Sequence, residues 1–93
     1  MVKLLKSRAC KAKQPRHDDS AEYIIEAMDF IRLGGKMSFK ERRAIAQLKA
    51  NNWQIQKGQV YVHQFNKQDG QVYNFHTLPL ILRICIKYNF YGQ

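Results

Sequence analysis

Cysteine is scarce in this 93-residue chain, with only Cys10 and Cys85. Small secreted domains stapled by disulfides carry several cysteines at regular spacing, so that class is excluded and two free thiols in a reducing cytoplasm are expected. Acidic residues are also few: seven Asp and Glu face sixteen Lys and Arg, a formal charge of +9. Acid mimicry of nucleic acid is thereby ruled out, and an anionic partner is favoured. Long apolar runs are missing. The longest, residues 78 to 86, is interrupted by Arg83 and falls well short of the roughly 20 residues a membrane span needs. After Leu5 the chain turns to Lys6, Ser7 and Arg8, which leaves no apolar core for a secretory signal. Five glycines and two prolines are too few for collagen or low-complexity sequence. The apolar fraction of 45% is that of an ordinary globular chain, and the length suits one domain.

Charge divides the sequence. Residues 1 to 17 contain Lys3, Lys6, Arg8, Lys11, Lys13 and Arg16 and no acid, residues 18 to 29 contain five acids and no base, and the remainder is again basic. The first block has little apolar periodicity and is expected to be a flexible basic arm attached to a single domain over residues 18 to 93.

The expected fold is α+β. Asp19, Ser20, Ala21 and Glu22 fit a capping box, and Ile24, Ile25, Met28 and Ile31 follow at helical spacing, so residues 20 to 33 are expected to form a helix stopped by Gly34 and Gly35. Ser38 and Glu41 form a second capping box, opening a helix that runs to about Ala50. On it Lys40, Arg43 and Gln47 line a stripe away from Ile45 and Leu48, with Lys36 just before the helix. From Trp53 the period changes to two. Residues 53 to 56, 59 to 65 and 71 to 75 read as strands of a hairpin or three-stranded meander, turning over residues 66 to 70 at the Asp69-Gly70 signal. Tyr61, His63 and Phe65 share one face, which Tyr73 and Phe75 are expected to join across the hairpin. Residues 78 to 90 fit two patterns. Alternating Leu80, Leu82, Ile84 and Ile86 suit a strand, whereas Thr77 as cap, Pro79 in the first turn and Gly92 as stop suit a helix, and length and caps favour the helix.

No catalytic or metal-binding spacing is present: the three histidines and two cysteines are scattered, with no phosphate loop or nucleophile elbow. No enzyme activity, metal or cofactor is expected. The charge pattern points instead to nucleic-acid binding, because Lys and Arg gain affinity by releasing counterions from phosphate. Two surfaces qualify. The basic arm with Lys36, Lys40, Arg43 and Gln47 suits duplex DNA, whereas Tyr61, His63, Phe65 and Tyr73 suit the stacking of unpaired bases. The alternative is a protein-interaction module, an inhibitor or adaptor docking on an acidic or nucleic-acid-loaded protein; no membrane partner is expected.

Overall fold

The computed structural model describes residues 3–33 and 36–91. Its elements in chain order are β1 (Lys3–Lys11), β2 (Arg16–His17), α1 (Ala21–Glu26), α2 (Met28–Arg32), α3 (Phe39–Ala50), β3 (Gln54–Ile55), β4 (Val60–Gln68), β5 (Gln71–Thr77) and α4 (Pro79–Lys87). An antiparallel sheet in the order β1-β4-β5 is joined by a small β2-β3 pair, and with its helices this makes the chain a small α+β domain.

The basic segment expected as a flexible arm is largely strand: residues 3 to 11 pair antiparallel with β4. Its pattern conceals a strand because residues 4 to 9 are exposed on both faces, so no alternation of apolar and polar side chains marks them. A bulge at Leu5 shifts the register between Leu4 and Lys6. The lysines and the bulge also suit an edge strand, where charge discourages pairing with another chain.

The first helix begins near the expected place but differently. Asp19 does not cap it. Asp18, fully buried, accepts a bond from the Ser20 amide at 2.9 Å, while Glu22 pairs with His17 at 2.8 Å. The helix is interrupted at Ala27, and the expected glycine stop lies outside the described residues. The second capping box forms as expected, with Ser38 Oγ accepting from the Glu41 amide at 3.1 Å and Glu41 Oε1 accepting from the Ser38 amide at 2.8 Å.

The last segment is helix α4, with Pro79 at its start; Leu78 rather than Thr77 is the cap residue, and its amide donates to Asp18 Oδ2 at 3.0 Å. Helices α3 and α4 end alike. Asn52 and Asn89 adopt left-handed backbone, and the following Trp53 and Phe90 amides each reach back to Leu48 and Cys85 carbonyls at 2.8 Å. Both are Schellman endings with asparagine where glycine is usual, and each places an aromatic ring against the core. The expected stop at Gly92 lies outside the described residues, and the helix has already ended at Asn89.

The main core sits among the helices: Ile24, Met37, Ile45, Leu48, Ile81, Ile84 and Cys85, with Trp53 packed partly buried against it. A second cluster of Ala12, Ile55 and Tyr61 ties the β2-β3 pair to the end of the sheet. Residues 54 and 55 thus pair with β2 instead of extending the hairpin into a meander, and the third strand of the sheet is β1.

Candidate nucleic-acid interface

Cross-strand partners in an antiparallel sheet share a face. In β1-β4-β5 the rows Cys10–Tyr61, Arg8–His63–His76 and Lys6–Phe65–Asn74 therefore lie on one face; farther along, the Lys3 backbone pairs with that of Lys67. The rows between them, such as Ala9–Val62–Thr77 and Ser7–Gln64–Phe75, face the other way. That second face meets the helices: Phe75 and Tyr91 rings lie 5.8 Å apart, and Val60 borders a hollow shared with Ala44, Gln47 and Leu48 of α3. The first face is the outer one.

Tyr73 belongs to the inner face. The hairpin turns tightly at Asp69-Gly70, both in left-handed backbone, so Phe65 pairs with Asn74 and Tyr73 with Asn66. The five-residue turn expected from sequence shifts the pairing by an odd number of positions, which moves Tyr73 and Phe75 to the opposite face. His76, which sequence reasoning did not select, takes the vacated place in the outer row.

The outer rings form a continuous column. Centroids lie 5.8 Å apart for Tyr61 and His76, 4.3 Å for His76 and His63, and 4.4 Å for His63 and Phe65. Tyr61 is buried at one end, whereas His63, Phe65 and His76 are partly open. Guanidinium groups cover both ends: Arg8 lies 5.9 Å from the Phe65 ring and Arg16 lies 5.6 Å from that of Tyr61. Arg16 Nη1 also donates to the Tyr61 hydroxyl at 3.3 Å. His63 Nε2 meets Asn74 Oδ1 at 3.0 Å, and Asp19 Oδ2 lies 3.4 Å from His76 Nδ1 while accepting the His76 amide at 2.7 Å. Burial, helped by the nearby Arg16 and His63, lowers the His76 pKa below its ordinary value against the opposing pull of Asp19.

Beside Tyr61 opens a crevice of about 850 Å³ bordered by Arg8, Lys11, Lys13 and Arg16. Among the described residues none of Lys6, Arg8, Lys11, Lys13 or Arg16 forms an ion pair with a carboxylate. Exposed cations gathered without acids create a positive field that a phosphate chain can neutralise.

The other sequence-selected cations lie elsewhere. Lys40, Arg43 and Gln47 are exposed on α3, with Lys36 exposed just before it. Because the α3 hollow includes Val60, whose parity is opposite to that of Tyr61, this stripe lies on the helical side of the sheet. The structure therefore brings Lys6, Arg8, Arg16, Tyr61, His63 and Phe65 together and leaves the α3 group apart.

Cys10 and Cys85 are both free, and burial pushes the Cys85 pKa up to about 11. Among the described residues no cluster of three metal-ligating side chains occurs, and no helix is long and apolar enough to cross a membrane. No protein-family model matches the chain, and comparisons with curated proteins and with solved structures return no match.

Proposed function

We propose that this protein binds nucleic acid through the outer face of the β1-β4-β5 sheet, and that the strand it takes is single. The observation that carries the reading is the aromatic column flanked by Arg8 and Arg16 inside a field of cations free of ion pairs. Cations that track the phosphates, combined with rings that meet the bases, are the general means of holding unpaired nucleic acid. A duplex contacting both the N-terminal bases and α3 is less well supported, since those groups occupy opposite sides of the sheet.

The test compares two double variants that each remove two positive charges. Arg8→Ala with Arg16→Ala is expected to weaken binding of a labelled single-stranded oligonucleotide at least about tenfold and to flatten its salt dependence. Lys40→Ala with Arg43→Ala should change either quantity far less. Equal losses would reduce the interaction to diffuse attraction, a larger loss from the α3 pair with duplex DNA would move the interface to the helix, and no binding at low salt would favour docking on a protein.

A further inference from the structure

We propose that the outer face is also a catalytic surface, on which His63 and His76 serve as acid and base in cleaving a bound RNA strand. This inference rests on the nucleic-acid reading above and adds a substrate class and a reaction to it. The two histidines are thirteen positions apart in the chain, and the β4-β5 register sets them directly opposite each other, their rings 4.3 Å apart and inclined by 31°. Two imidazoles this close can serve one phosphodiester, one for the entering oxygen and one for the leaving oxygen.

The surroundings give each ring a separate setting. His76 is faced by Asp19 at Nδ1, by Arg16, by Tyr61 and by His63, and its side chain is only 13% exposed. Asp19 engages Nδ1, which leaves Nε2 as the nitrogen free to accept a proton. Its lowered pKa keeps the ring neutral at physiological pH, as a base requires. His63 is faced by Asn74 at Nε2, by Phe65 and by the Arg8 row.

In the reaction the ribose 2′-oxygen attacks the adjacent phosphorus as the bond from phosphorus to the 5′-oxygen breaks. His76 takes the 2′-hydroxyl proton and His63 gives a proton to the departing 5′-oxygen. The products are a strand ending in a 2′,3′-cyclic phosphate and a strand beginning with a 5′-hydroxyl, so atoms and charge balance with no added reactant. Arg8 and Arg16 supply positive charge for the crowded phosphorus intermediate, and the Tyr61 hydroxyl orients Arg16. DNA, lacking the 2′-hydroxyl, binds but is not cut.

The experiment uses the full chain, an end-labelled RNA oligonucleotide in buffer with a chelator, and its 2′-O-methyl counterpart as an uncleavable binding probe. Cleavage is expected to leave cyclic phosphate and 5′-hydroxyl ends, with a bell-shaped dependence of rate on pH. His63→Ala and His76→Ala should each slow cleavage of saturating RNA by about 100-fold or more, well beyond the weakening each causes in binding of the uncleavable probe, and free imidazole should partly restore His63→Ala. His63→Gln supplies a second variant in case truncation of His76, which is 13% exposed, disturbs the fold. Tight binding of the probe without cleavage of RNA would overturn the catalytic assignment alone, as would cleavage that survives loss of both histidines. Failure to bind the probe at low salt would overturn the binding reading as well.

Discussion

On the helical side of the sheet, the buried polar groups are provided with partners. Glu41 accepts from Lys87 Nζ at 3.1 Å, the Tyr88 hydroxyl at 2.8 Å and the Ser38 amide at 2.8 Å. Asp18 and Ser20, both fully buried, are bonded to the Leu78 amide and to the Thr77 and Tyr91 hydroxyls. The outer face carries cations lacking ion pairs among the described residues, around a column of rings that is buried at Tyr61 and partly open at His63 and Phe65. Buried polar groups that stabilise the fold are matched internally, whereas exposed cations without ion pairs among the described residues occur on both sides, and on the outer face two of them flank a column of rings. Strand β1 belongs to both regions, since its backbone completes the sheet while its side chains charge the outer face.

That double role gives the largest expected effect. Deleting residues 1 to 11 should abolish the cooperative melt and not merely weaken ligand binding, because it strips the β4 ladder along the whole length of β1. A truncated chain with an unchanged melting temperature would return the segment to the status of an arm. Truncating one residue on each side sharpens the contrast. Leu48→Ala, at a site 1% exposed in the main core, should cost about 3 kcal/mol. Phe65→Ala, on the partly open face, should cost clearly less in denaturant titration while weakening oligonucleotide binding.

Asp18→Ala comes next, at about 2 to 3 kcal/mol, because the Ser20 and Leu78 amides lose a common acceptor and the β2-α1 junction loses its tie to the start of α4. Burial raises the Asp18 pKa despite these bonds. Its protonated form is therefore favoured in the fold, and this linkage contributes less stability as pH rises through the raised value. Asp18→Asn, which keeps an acceptor, should cost less than Asp18→Ala.

Glu41 has the opposite sign. The Ser38 amide first, then Tyr88 and Lys87, lower its pKa from 4.5 to about 2. Its stabilising contribution should be complete above pH 4.5 and fade as pH falls toward 2, so the melting temperatures of the native chain and Glu41→Gln should converge over that interval.

Much of the fold was legible wherever one short segment carries its own instruction. Ser38 with Glu41 and Pro79 each act within a few residues and as expected, whereas Asp69 with Gly70 mark the turn but make it tighter than the five residues expected. Features that depend on distant pairing were not legible. Strand β1 needs β4 beside it, and its residues 4 to 9, exposed on both faces, gave no periodic signal. The outer face was found in part through Tyr61, His63 and Phe65, yet the placing of Tyr73 and the omission of His76 both follow from the length of one turn. Asn52 and Asn89 were readable in principle, since each precedes an aromatic residue at a helix end and asparagine tolerates left-handed backbone.

The central claim, that the outer sheet face and not α3 is the binding surface, is tested most directly by following backbone amide resonances of the full chain during titration with a 2′-O-methyl oligonucleotide. The account predicts shifts concentrated at residues 6 to 10, 61 to 65 and 74 to 76, with residues 39 to 50 nearly still. Shifts concentrated on α3, with the β1 and β4 amides unmoved, would contradict it.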